Sequence, residues 1–240
     1  SPRAACCGGD RPTCRGTAAL DQRGALITMT TVIVDYDSGN LHSAHKAFQR
    51  MADEVASGQV ALSSDPDMVR RADRIVLPGD GAFPACRTAL FDHRGLFEAL
   101  EEVAIRKAQP FLGICIGMQM MASQGLEYTP TDGFDWITGE VTKITPNDPA
   151  VKVPHMGWND LILDSPHPVF NGIKSGDHAY FVHSYHMQVS QPEQRLAHVG
   201  YDGEITAIIG RNNLLGMQFH PEKSQKTGLK LIANFLKWAP

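Results

Sequence analysis

The chain has 240 residues, 42% of them hydrophobic, and a formal net charge of -4. That is enough for one globular domain with a sizeable core, and mild acidity argues against a nucleic-acid groove, which wants a basic patch. No apolar run approaches the roughly 20 residues that span a bilayer, and five cysteines, three of them crowded at Cys6, Cys7 and Cys14, make no secreted disulfide framework.

Residues 1–28 are rich in Gly, Arg, Ala, Cys and Pro, without a period and without the apolar core of a signal peptide. They are expected to be a disordered extension ahead of a single domain over 29–240, for which Met29 is a natural start. Cys6, Cys7 and Cys14 lack a fourth ligand for a tetrahedral site, so no metal is expected there. Thr31–Asp35, β-branched and apolar, reads as a first buried strand. Asp37–Asn40 is a turn, after which Leu41, Ala44, Ala47, Phe48, Met51 and Val55 recur at helical spacing. Val60–Leu62 reads as a second strand. Ser64-Asp65-Pro66 reads as a helix start, with a capping residue and proline at the first helical position. Arg74–Pro78 reads as a third strand, running into Pro78-Gly79-Asp80-Gly81. Two glycines at a strand's carboxyl end let backbone N–H groups turn toward a ligand, although taken alone the segment is a plain turn. Cys86 reads as a packing residue. Gly95–Ala108 reads as an amphipathic helix, with Leu96, Leu100, Val103 and Ala104 facing inward.

The next stretch organises the chain. An apolar run from Pro110 leads into Gly113-Ile114-Cys115-Ile116-Gly117, and a helical pattern over Ile116–Ser123 follows at once. Strand, sharp turn and helix make a nucleophile elbow, in which the flanking glycines remove side chains that would clash. A cysteine after a hydrophobic strand is by itself an ordinary buried residue. Far downstream, however, His220-Pro221-Glu222 supplies a base for a thiol and a carboxylate to orient that base. Between the two, short strands separated by Gly, Pro, Asn and Asp begin at Trp136. Pro154-His155-Met156-Gly157-Trp158-Asn159 reads as strand and turn, and His178–Tyr185 as one strand. Gly203–Gly210 and Asn213–Phe219 form a hairpin-like pair that delivers His220. Leu229, Ile232, Ala233, Leu236 and Trp238 close the chain as an amphipathic helix.

Gly113–Gln119 and Gln218–Ser224 resemble the two signatures of triad-type, class I glutamine amidotransferases, and the resemblance covers Met29–Pro240. It agrees with a three-layer α/β fold: a mostly parallel, flavodoxin-like sheet with helices on both faces and a mixed-strand extension in the second half. It implies Cys115 as nucleophile, His220 as base and Glu222 as its orienting partner. Backbone N–H groups at Gly79, Gly81 and Ile116 would form the oxyanion hole. Gln119, Glu127, Ser184 and Tyr185 would contact glutamine. Asp80 stands where many members have valine, and His186 where many have a second tyrosine.

Asp35–Ser43, Pro154–Asn159 and Phe181–Tyr185 resemble, more narrowly, the amidotransferase subunits of imidazole glycerol phosphate synthases. That implies a heterodimer with a (β/α)8 cyclase subunit, docked near Asn40, Ser43 and Lys223, which uses the ammonia to make imidazole glycerol phosphate and an aminoimidazole carboxamide ribonucleotide. No cofactor, nucleic acid or membrane is expected. A working thiol points to the cytoplasm. The rival readings are an amidotransferase of anthranilate or guanylate synthesis, a stand-alone cysteine hydrolase of similar fold, and a non-catalytic interaction subunit.

Overall fold

The computed structural model describes residues 29–39 and 41–240. The expected extension over 1–28 and the interface candidate Asn40 lie outside the described residues. The first half alternates strand and helix: β1 (Thr30–Val34), α1 (Leu41–Val55), β2 (Gln59–Ser63), α2 (Pro66–Arg70), β3 (Arg74–Gly79), α3 (Phe83–Asp92), α4 (Leu96–Glu101), β4 (Phe111–Cys115) and α5 (Ile116–Gln119). A π-helical turn over Glu102–Arg106 prolongs α4. The second half is mostly strand: β5 (Gln124–Gly125), β6 (Thr131–Asp132), β7 (Gly139–Lys143), β8 (His155–Asp160), β9 (Ile162–Leu163), β10 (His178–His183), β11 (Tyr185–Val189), β12 (Arg195–Gly200), β13 (Glu204–Arg211), β14 (Leu214–Met217), and finally α6 (Gln225–Lys237).

Eight strands form the main sheet in the order β2-β1-β3-β4-β14-β13-β12-β9. β2, β1, β3, β4 and β14 run parallel, and the antiparallel hairpin β13–β14 begins the mixed extension. The path from β1 to β2 moves one way across the sheet and the path from β2 to β3 moves back. Right-handed crossovers therefore put α1 and α2 on opposite faces. α6 packs on α1, and α2 packs on α4. The central parallel strands are buried on both faces, as their β-branched and apolar runs demand: all six residues of β3 and all five of β4 are buried.

Two sequence expectations change. The helix after Cys115 stops at Gln119 instead of Ser123. Past Gln119 the α-type bonds give out: Met121 N and Ala122 N bond three residues back, to the Met118 and Gln119 carbonyls at 3.1 and 3.0 Å, and Ser123 N donates to the Gly139 carbonyl at 3.0 Å. The strand expected over His178–Tyr185 breaks at Ser184. β10 pairs with β8, while β11 pairs with β7 in a separate sheet. His183 Nδ1 donates to the Tyr185 carbonyl two residues on, at 2.8 Å, and this local bond turns the chain at Ser184.

Candidate active site

The site lies at the carboxyl ends of β3, β4 and β14, the edge of the sheet outside which ligands bind in open α/β folds. Cys115 ends β4 with φ 54° and ψ -113°, a strained conformation for a residue with a side chain. Its neighbours allow it. A Cβ on Gly113 would lie 2.6 Å from the Gly117 carbonyl oxygen, and one on Gly117 would collide with the Leu77 carbonyl. Gly79 is part of the same packing, since a Cβ there would lie 2.6 Å from the Gly117 nitrogen. The two strands beside β4 deliver the remaining groups. Gly79 of β3 is in register with Cys115, and β14 runs parallel with Met217 opposite Ile114, so Gln218, Phe219 and His220 emerge next to the elbow.

His220 Nδ1 lies 3.0 Å from Glu222 Oε1, both side chains being buried. Pro221 opens a single 3-10 turn that carries Glu222 back toward the ring. Ser224 Oγ donates to the His220 carbonyl at 2.7 Å and fixes that turn. The carboxylate can only accept here, so Nδ1 carries the proton and Nε2 is left for the thiol. Burial alone would lower the histidine's proton affinity. Hydrogen bonds and charge from Cys115 and Glu222 outweigh it and raise the pKa to about 10. The ring therefore holds a proton at neutral pH between a sulfur and a carboxylate.

In front of Cys115 is a cleft of about 270 Å³, lined by Asp80, Gly81, Ile116, Gln119, Glu127, Ser184 and Tyr185 among others. All the expected substrate-contact residues thus meet at one opening, with Gly81 and Ile116 at its wall. Gly79, His220, Glu222 and Lys223 border a smaller void of about 30 Å³ behind it, together with Ser38, Leu41 and Ala44. Ser43 is half-buried on α1. Lys223 and the start of α1 therefore share one side of the molecule.

Some side chains are engaged differently from the sequence reading. Glu127, expected in a loose segment, is buried, and its Oε2 accepts from Phe83 N at 2.7 Å. It thus anchors the start of α3, directly after the Gly79–Gly81 loop. Gln119 Nε2 donates to the Tyr185 carbonyl and to Gln218 Oε1, each at 3.0 Å, while its Oε1 is buried without a protein partner. His183, another buried histidine close to the cleft, has no free ring nitrogen. Both of its nitrogens are engaged, with His155 and the Tyr185 carbonyl, and burial pushes its pKa down to about 3.

Three residues of consequence carried no role in the sequence. Tyr36 donates its hydroxyl to the Pro78 carbonyl at 2.6 Å, and Cys86 donates its thiol to the Asp80 carbonyl at 3.3 Å. Burial pushes the Cys86 thiol up to about 11, so it stays protonated and remains a donor. Together they hold the glycine loop from behind. Gln218 places its amide nitrogen 3.8 Å from the Cys115 sulfur. Its position two residues before His220 was the one available signal.

Among the described residues, no group of three or more His, Cys, Asp or Glu side chains is placed to hold a metal ion. No helix among them is long and apolar enough to cross a membrane.

Residues 32–238 match the class I glutamine amidotransferase family. The chain is 68% identical over 212 residues to the imidazole glycerol phosphate synthase subunit HisH of Cereibacter sphaeroides, covering 88% of this chain and 100% of that protein. It is 59% identical to the protein of the same name from Ruegeria pomeroyi, with the same coverage. Among solved structures, a putative GMP synthase component from Thermoplasma acidophilum superposes with a TM-score of 0.62 at 17% identity, over 88% of this chain and 93% of that one. A glutamine amidotransferase from Thermotoga maritima gives 0.58 at 15% identity, over 81% and 76%. At such identities these structures speak for the fold alone.

Proposed function

The chain belongs to the class I glutamine amidotransferase family, and from that premise we propose that it is the glutaminase subunit of an imidazole glycerol phosphate synthase. The observation that carries the reaction is the strained Cys115 elbow beside a histidine held 3.0 Å from a buried carboxylate. The Cys115 sulfur attacks the side-chain amide carbon of glutamine, His220 gives its proton to the departing nitrogen, and ammonia leaves. Glu222 keeps the ring in the correct tautomer and stabilises its charged form. The developing oxyanion is received by the backbone N–H of Ile116, which a first-turn position leaves without a helical partner, and by N–H groups of the Gly79–Gly81 loop. Each such donor is worth about 3 kcal/mol in comparable sites. Water, deprotonated by His220, then cleaves the thioester to glutamate. Gln119 and Glu127 border the reacting end of the cleft, and Ser184 and Tyr185 hold the amino-acid end of glutamine.

The ammonia passes to a separate (β/α)8 cyclase subunit, which uses it to make imidazole glycerol phosphate and an aminoimidazole carboxamide ribonucleotide. The docking side is that of Ser43, Lys223 and the start of α1. Trp158 and Met156 support it: both are large, apolar and exposed, and Trp158 lies beside Ser224–Thr227, next to Lys223. Residues 29–240 suffice for this chemistry, and a thiol nucleophile suits the reducing cytoplasm.

The test is glutamate release from glutamine, measured for this chain by itself and then in the presence of the cyclase and its nucleotide ligand. Low activity that rises strongly on addition supports the reading. High activity unchanged by the cyclase leaves the triad standing and moves the chain to an amidotransferase of another pathway or to a stand-alone hydrolase. A version starting at Met29 should be as active as the full chain.

A further inference from the structure

A hydrogen-bonded chain runs from β8 to the Cys115 sulfur, and its polarity is fixed at every link. The Tyr185 carbonyl can only accept, so His183 Nδ1, 2.8 Å away, carries that ring's proton. His183 Nε2 is then an acceptor, and His155 Nδ1 must donate to it at 3.0 Å. His155 Nε2 is left to accept from Asn159 Nδ2 at 3.2 Å. The Asn159 amide has no freedom to reverse: the same nitrogen donates to the Gly200 carbonyl at 3.0 Å, and its oxygen accepts from Asp160 N at 2.8 Å. On the other side, the Tyr185 carbonyl accepts from Gln119 Nε2 at 3.0 Å, which turns the second N–H of that amide to Gln218 Oε1 at 3.0 Å. Gln218 Nε2 is thereby left facing Cys115 Sγ at 3.8 Å.

We propose that Gln218 is a further catalytic residue, an N–H donor to the Cys115 sulfur in its anionic form, and that Gln119, whose own amide is set by the acceptor-only Tyr185 carbonyl, is the positioning residue that fixes which way the Gln218 amide faces. The proposal rests on Cys115 being the nucleophile. A buried glutamine amide that reversed would turn a carbonyl oxygen toward the sulfur and repel a thiolate. Gln218 is 0% exposed, so bulk water cannot restore the missing donor. At 3.8 Å the contact is long, and charge on the acceptor shortens such bonds.

The other groups facing Cys115 are His220, Tyr36 and Cys86, with Asp80 and Glu127 across the cleft. They are unchanged in the variants below, so a comparison isolates the relay. The measurement is alkylation of Cys115 by iodoacetamide in the full chain as a function of pH, resolved from the other cysteines by peptide mass spectrometry. Gln218→Met keeps the length of the side chain and removes the donor. Alkylation at pH 7 should slow roughly tenfold, with the pH profile displaced upward, and kcat for glutamine should fall with KM little changed. Gln119→Met removes the N–H that Gln218 Oε1 accepts and frees that amide to reverse, so it should give the same displacement. A profile that stays in place in Gln218→Met overturns the proposal, and that variant decides alone if Gln119→Met does not fold. A fall in melting temperature in folded Gln119→Met with an unmoved profile overturns the positioning role. Absence of glutaminase in the unmodified chain would instead overturn the reading of Cys115, which is a separate result.

Discussion

His220 and His183 are both buried, at 8% and 6% exposure, yet one is held at about 10 and the other at about 3. Burial lowers both. The difference lies in the partners. His220 has a sulfur on one side and the Glu222 carboxylate on the other, so a charged ring is stabilised from both ends. His183 has a backbone carbonyl and a second imidazole, and the nearby His155, His186 and His220 all oppose a charge on it. The same residue type is thus favoured charged in one place and neutral in the other. Burial cannot be read as function without the identity of the hydrogen-bond partners.

The contrast collapses most completely when the sulfur is removed. Cys115→Ala should abolish glutamine hydrolysis, a loss of at least about 10⁴-fold, because members of a triad act as a unit. The variant should remain folded and still bind the cyclase, as circular dichroism and pull-down would show. Surviving hydrolysis would end the mechanism. Glu222→Gln attacks the other side of His220. It should lower kcat by about 10² to 10⁴ and move the His220 titration, followed by NMR, toward the ordinary histidine value. An unmoved titration would mean that the carboxylate does not set the charge of the ring.

The pH dependence of stability separates the two histidine environments by sign. His220 has a raised pKa, so its contribution is complete below about 6.5 and is lost as pH rises through about 10. His155, His183 and His186 have lowered values of about 4, 3 and 4, so their contribution is present above about 6.5 and is lost as pH falls toward those values. Melting temperature should therefore decline on both sides of neutrality. His183→Asn should flatten the acid side by a few °C, on the scale of about 3 °C per kcal/mol for a domain of this size. An acid limb of unchanged steepness would show that carboxylates, and not these rings, set it. The mildest change is expected at Tyr36→Phe, which leaves the buried Pro78 carbonyl without its 2.6 Å donor. It should cost about 1–3 kcal/mol in a urea titration, while the His220 titration stays in place.

Much of the site was legible because its signals are local. Gly113 and Gly117 around Cys115 announce a turn that excludes side chains, and His220-Pro221-Glu222 places a ring and a carboxylate on one short segment. β1 to β4 and α1 stand out by their apolar periods. What was not legible depends on residues far apart in sequence, or on a bond that periodicity hides. The break at Ser184 comes from a ring bonding a carbonyl two residues on, and the pattern along His178–Tyr185 gives no sign of it. The short α5 stops because Met121 N and Ala122 N bond three residues back and Ser123 N goes to the distant Gly139 carbonyl. The Glu127 anchor on Phe83 joins residues 44 positions apart.

Local sterics and spacing settle the alternating strands and helices of the first half, the elbow, and the residue types that can form a Cys-His-Glu set, so the linear chain is enough to read them. Which protons those residues carry is settled only in the folded molecule. Gln218 and Cys115 are 103 positions apart, and Gln119 and Tyr185 are 66. The direction of every donor between them depends on which lone pairs remain after the sheets have assembled around them.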